Sequence, residues 1–122
     1  MFAVDAAVAA FTEGGPWLDG LREYIYANKQ TVKDFLEREL PMIRLVPSEA
    51  TYLLWLDCGK LTEDAKQLAD IIRERTGLYL SEGGQYGKTG ERFLRMNIAC
   101  PRFRLLDGLE RLKAGVLEKA TK

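Results

Sequence analysis

The apolar residues of this chain switch between helical and strand spacing, and the switches define an order of elements. Residues 3–11 are alanine-rich and helix-favouring, and Thr12-Glu13-Gly14-Gly15 interrupts them. Pro16 stands where a first helical residue belongs. From Trp17 to about Leu40, Leu18, Leu21, Ile25, Val32, Phe35, Leu36 and Leu40 recur at helical spacing, with Glu23, Lys29, Lys33, Asp34, Glu37 and Arg38 filling the other face. The pattern predicts a long amphipathic helix, with Pro41 as its stop. Ile43–Val46 and Thr51–Leu56 are short apolar runs separated by Pro47-Ser48-Glu49-Ala50. They predict two strands able to pair as a hairpin, the second buried on both faces.

A second helix starts near Thr62, the expected N-cap, with acidic residues in its first turn. Ala65, Leu68, Ala69, Ile71 and Ile72 form its apolar side, and Arg73, Arg75 and Gly77 close it. Leu78–Leu80 predicts a third strand and Phe93–Ala99 a fourth. Arg102–Ala120 predicts a last helix, with Leu105, Leu106, Leu109, Leu112, Val116 and Leu117 facing inward. The fold class this implies is α+β: two layers, a mostly antiparallel four-stranded sheet covered by helices and preceded by a long amphipathic helix. Residues 41–122 read as a self-contained small domain and 1–40 as its lead-in. The first helix has no capping residue ahead of it, so it reads as cut from something longer, with Met1 as an artificial start.

Composition narrows the function classes. The 122 residues make one domain's worth of chain, enough to bury about 65% of the unfolded surface. Lys+Arg and Asp+Glu both number 18, and this neutral balance argues against nucleic-acid binding by bulk electrostatics. No apolar run is long enough to span a bilayer. The apolar start carries Asp5 and no basic segment, a poor signal peptide, so a cytoplasmic location is expected. With no histidine, and with Cys58 and Cys100 far apart outside any CxxC pairing, no metal site is expected. Both cysteines read as small buried residues in a reducing compartment.

The candidate chemistry lies in 81–102. Arg95 sits inside the apolar run Phe93–Ala99, and strand interiors rarely hold an arginine without an anion. Its planar fork of donors matches a carboxylate and stays charged at any working pH. A structural arginine paired to Asp57 or Glu91 is the alternative. The loop 82–90 carries Gly83, Gly84, Gly87 and Gly90 but lacks the spacing of a phosphate-binding loop, and a strand follows it. A mobile active-site flap or a plain irregular loop fits it better. Tyr52 and Trp55 read as core.

Phe93-Leu-Arg-Met-Asn-Ile-Ala-Cys-Pro-Arg102 resembles the arginine segment near the C-terminus of pyridoxal-phosphate-dependent aminotransferases of class I/II, fold type I. Tyr52-Leu-Leu-Trp-Leu-Asp-Cys58 and Pro16-Trp17-Leu18 resemble its cystathionine β-lyase, or C–S lyase, branch. The resemblance runs along nearly the whole chain but corresponds only to the C-terminal part of such an enzyme. It implies that Arg95 binds the substrate's α-carboxylate and that Tyr86, of the pair Tyr86-Gly87, approaches the substrate. Glu82 stands where the family often has proline, which leaves the path of the loop open. The resemblance also implies a cofactor, pyridoxal 5'-phosphate, bound mainly by a missing large domain of the same chain. The lysine that holds it lies upstream in the family, and no lysine here has the Ser-x-x-Lys setting, so the isolated chain is expected to be inactive. The parent would be a homodimeric enzyme acting on an amino acid, as a C–S β-lyase or a transaminase. Two other readings stay open: a stand-alone, non-catalytic ligand- or protein-binding module, and an aminotransferase-like sensor domain of a regulator.

Overall fold

The computed structural model describes residues 1–120, with side chains through Leu117; residues 121–122, the end of the expected small domain, lie outside the described residues. Four α-helices, α1 (Phe2–Glu13), α2 (Gly15–Glu39), α3 (Ala65–Thr76) and α4 (Arg102–Ala120), accompany four strands, β1 (Arg44–Leu45), β2 (Leu53–Asp57), β3 (Ser81–Glu82) and β4 (Phe93–Asn97). The strand order is β1-β2-β4-β3, and every neighbouring pair is antiparallel. The α+β class and the leading helix agree with the sequence.

One face of the sheet is closed and the other is half open. Leu54, Leu56, Leu94 and Met96 alternate along β2 and β4 onto the closed face. There they share one core with Ala65, Leu68 and Ile72 of α3 and Leu105, Leu109, Leu112 and Val116 of α4. Strand side chains alternate with period two, so Leu53, Trp55, Asp57, Phe93 and Arg95 point the other way, and all five are only half-buried. The expectation that the second strand is buried on both faces is therefore wrong. Trp55 is only half-buried because no α-helix among the described residues packs on its side, and Tyr52, which precedes β2, is 45% exposed.

α2 is divided along its length. Its C-terminal half inserts Val32, Phe35 and Leu36 into the common core, whereas Trp17 and Leu18 are exposed. Leu18 thus departs from the expected apolar face, since its turn of α2 extends past the sheet. α1 contains no buried residue. In α4, Leu105, Leu109, Leu112 and Val116 fall at alternating spacings of four and three on one face; Leu106 and Leu117 flank that stripe and remain exposed.

Several boundaries shift for local reasons. Thr51 adopts φ 71° and its Oγ1 accepts the Leu53 N–H, so β2 starts at Leu53 rather than Thr51. Asp64, not Thr62, caps α3: its Oδ1 accepts the Gln67 N–H, while Thr62 Oγ1 accepts the Asp64 N–H just ahead. Gly77 closes α3 in the left-handed conformation. The third strand is Ser81–Glu82 rather than 78–80, because Ser81 and Glu82 are the residues that reach β4, opposite Arg95 and Leu94.

α2 and α4 are tied by Lys113 Nζ, which donates to Glu39 Oε2 at 2.7 Å. The Lys113 hydrogen bond, helped by Arg38, lowers the Glu39 pKa, and Glu39 in turn raises that of Lys113. A lowered carboxyl pKa contributes stability above its unfolded value, lost as pH falls through the folded one. A raised amine contributes below its unfolded value, lost as pH climbs through the folded one. The pair therefore works across the neutral range. Glu39→Gln should lower the denaturant midpoint at neutral pH, and the difference from the parent sequence should vanish once pH falls below the folded Glu39 pKa; a pH-independent difference would contradict this.

Candidate functional site

The half-open face is built by the β2–β4 ladder. Its rungs place Asp57 opposite Phe93, Trp55 opposite Arg95 and Leu53 opposite Asn97, and Ser81 of β3 flanks Arg95 on the other side. Residues paired across a rung share a face. Arg95 thus stands on a central strand, between Trp55 and Ser81, with the open face in front of it.

The loop after β3 folds over this face as two 3₁₀ turns, Gly83–Tyr86 and Lys88–Gly90. The turns are pressed together: a Cβ on Gly83 would lie 2.3 Å from the Gly90 carbonyl oxygen and 3.0 Å from the Trp55 ring. That close approach carries Tyr86 onto the face. Its ring centroid lies 4.7 Å from the Arg95 guanidinium carbon and 5.8 Å from the Trp55 ring, edge to face. A cation over an aromatic face gains about 0.5–1 kcal/mol at a partly exposed site. The two sequence-predicted site residues, Arg95 and Tyr86, are thereby brought together. The loop is built of two 3₁₀ turns rather than irregular backbone.

Among the described residues Arg95 has no carboxylate partner. Asp57 lies on the same face but one rung pair away, where Arg44 and Arg92 each approach it at 3.3 Å. Burial works to raise the Asp57 pKa, but the Gly59 N–H and the two arginines outweigh it, and the net shift is downward. Asp57 is held as a carboxylate by others, and Glu91 is exposed and makes no ion pair among the described residues. Arg95 is a half-buried cation against the Tyr86 ring, with no carboxylate partner among the described residues, an arrangement that fits a planar carboxylate.

The same face does not accommodate pyridoxal phosphate unaided. None of the strand residues on this face is a lysine, and their one acid, Asp57, is already paired. Lys29 bonds Ser48, Lys66 bonds Asp70 and Lys113 bonds Glu39, all on other elements. A cleft between α2 and β1, lined by residues such as Lys33, Arg44 and Asp57, lies apart from Arg95. No group of three or more potential metal ligands occurs among the described residues. No helix among them is long and apolar enough to cross a membrane.

Three features escaped the sequence reading. Trp55 is a wall of the site rather than core, a fact fixed by strand register. Arg44 of β1 and Arg92, in the turn just before β4, converge on Asp57. Asn28 is fully buried on α2, and its place within that helix's apolar stripe was the available signal. Arg102 does open α4, and its Nε donates to Asn28 Oδ1 at 2.8 Å.

This sheet, with its arginine and aromatic loop, belongs to a recognised class: residues 2–112 match the family model for aminotransferase class I and II, and the chain is a member of that family. Among its relatives, the cystathionine beta-lyase PatB of Bacillus subtilis is 39% identical over 115 residues, 94% of this chain and 30% of PatB. Cystalysin from Treponema denticola, whose structure contains a pyridoxal 5'-phosphate cofactor, superposes with a TM-score of 0.83 at 34% identity, over 89% of this chain and 28% of cystalysin. The PLP-bound C-S lyase from Staphylococcus hominis superposes with a TM-score of 0.82 at 32% identity, over 90% and 30% of the two chains. The chain therefore spans about 30% of the length of the curated relatives it matches.

Gly83→Ala should push the two 3₁₀ turns apart, because the obstructing atoms are backbone. We expect a loss of about 1–3 kcal/mol in unfolding free energy. In a Trp17→Phe background, which leaves Trp55 as the only tryptophan, its fluorescence should shift to the red. Unchanged stability and emission would show that the turns are not locked.

Proposed function

We propose that this chain is the C-terminal, substrate-orienting part of a pyridoxal-phosphate-dependent C–S β-lyase. Residues 41–122 form its small domain, and residues 1–40 connect that domain to the rest of the parent enzyme. The reaction is α,β-elimination on a sulfur amino acid of the cystathionine or cysteine type, releasing a thiol, ammonia and a 2-oxo acid. The observation that carries this reading is Arg95: an arginine without an acid partner among the described residues, beside Trp55 on the sheet and against the Tyr86 ring, in a family whose members include C–S lyases that this chain resembles in sequence and shape.

In this reading Arg95 binds the α-carboxylate through two parallel N–H···O bonds. That fixes two atoms of the substrate and leaves the Cα and Cβ substituents to be placed by the remainder of the parent. Tyr86 and Trp55 keep water from the guanidinium, which strengthens the ion pair relative to bulk solvent. Tyr86 also covers the carboxylate side of the substrate. The cofactor supplies an electron sink beside the substrate Cα. The lysine and the anchoring groups that hold it come from the remainder of the parent, so the isolated chain is inactive. That remainder also covers α1, where Phe2 and Phe11 are more than 90% exposed on a helix with no buried residue. The parent is a cytoplasmic homodimer. Transamination is the second reading, since the family includes aminotransferases and Arg95 would serve either reaction unchanged.

Arg95→Ala in the parent enzyme should raise KM for the amino acid and lower kcat/KM roughly ten- to a hundredfold, the worth of a charge-assisted hydrogen-bond pair. Arg95→Lys should recover only part of this, because an ammonium lacks the planar fork. Near-normal kinetics in Arg95→Ala would end the assignment. The intact mass of the polypeptide that carries this sequence in its source cell tests the parentage: we expect a product several-fold heavier than 13.8 kDa. A product of 13.8 kDa would leave no cofactor lysine and would favour a non-catalytic binding module.

A further inference from the structure

Asn28 is the one fully buried polar or charged side chain among the described residues. A primary amide brings two N–H donors and a carbonyl oxygen that must be matched; each group left unmatched costs about 1–3 kcal/mol. All three are matched at one place. Nδ2 donates to the Ile98 carbonyl at 3.0 Å and to the Cys100 carbonyl at 3.1 Å, and Oδ1 accepts from Arg102 Nε at 2.8 Å. Turned over, the amide would set oxygen against two carbonyls and NH₂ against an N–H, so the network allows one orientation.

One turn earlier on the same helix face, the Tyr24 hydroxyl accepts the backbone N–H of Arg102 at 2.7 Å, and the Arg102 guanidinium lies 5.1 Å over the Tyr24 ring. α2 thus grips the corner between β4 and α4 through two side chains. The grip falls where the sheet ends. The β2–β4 ladder closes at Asn97, one last backbone bond runs from the Ile98 N–H to the Tyr52 carbonyl at 2.9 Å, and the carbonyls that Asn28 captures lie at this end and just past it. Arg95 lies two residues inside that end.

We propose that Asn28 is a positioning residue for the carboxylate site: it ties the C-terminal end of β4 to α2, so the presentation of Arg95 depends on where α2 sits. The inference rests on the reading of Arg95 given above. A residue that only stabilised the fold would lower the melting temperature and leave the affinity of the folded protein alone.

The test uses the full-length parent protein and propanoate as a probe, with propanamide as the neutral control, in titration calorimetry. Asn28→Asp keeps the volume and the acceptor for Arg102 but removes both donors. We expect it to weaken propanoate binding roughly tenfold and to leave the double variant Asn28→Asp/Arg95→Ala no weaker than Arg95→Ala alone, since coupled residues are not additive. With L-cystathionine as substrate, KM should rise while kcat changes little. Tyr24→Phe removes one hydroxyl from a 42% exposed residue, and should move propanoate affinity the same way by a smaller factor; it decides the matter should Asn28→Asp not fold. Effects that add in the double variant, or an unchanged propanoate affinity in the folded single variants, would overturn the inference. Normal propanoate binding by Arg95→Ala alone would remove the carboxylate reading and this inference with it.

Discussion

The antiparallel pairing of β2 with β4 is the constraint on which the other elements depend. Five rungs hold the two central strands in a register that sends Leu54, Leu56, Leu94 and Met96 to one face and Trp55, Asp57, Phe93 and Arg95 to the other. Because the side-chain period is two, a slip of one residue would exchange these sets. It would drive an arginine and an aspartate into the core against α3 and α4. Core burial and site geometry are therefore fixed by the same ladder.

The two faces then follow different physics. The closed face is packed by aliphatic side chains from three helices, and its polar groups are largely backbone. The half-open face is organised by charge and aromatic rings: Asp57 gathers Arg44 and Arg92, and Arg95 rests on Tyr86 beside Trp55. One arginine is left over in that arithmetic. An unpaired guanidinium against an aromatic ring is tolerable because solvent still reaches it, and in the proposed reading a carboxylate replaces that solvent with two directed hydrogen bonds. The strands of this face also supply neither a lysine nor a free acid. This agrees with a chain that spans about 30% of its relatives.

Much of this was legible in the residues. Helical spacing identified α2, α3 and α4, and the arginine inside the apolar run Phe93–Ala99 marked the candidate site. The failures share one cause. Leu106, Leu117, Leu18 and Trp55 are apolar and correctly spaced, yet burial depends on what lies opposite, and spacing says nothing about that. Register hid Trp55 as the neighbour of Arg95, since no local pattern pairs residues forty apart in sequence. The shift of the α3 cap from Thr62 to Asp64 is a local ambiguity: both residues can cap, and the structure uses one for the cap and the other to fix the turn before it. Asn28 was visible as a polar residue on an apolar stripe, but its partners, some seventy residues away, were not.

The most direct measurement is a crystal structure of the full-length parent with an unreactive α-amino acid bound. The account predicts that both carboxylate oxygens lie about 2.7–2.9 Å from the Arg95 guanidinium nitrogens, as in other bidentate pairs. It further predicts that the Tyr86 ring stays over the same group. A carboxylate bound elsewhere, with Arg95 paired to an acid from the rest of the parent, would contradict it.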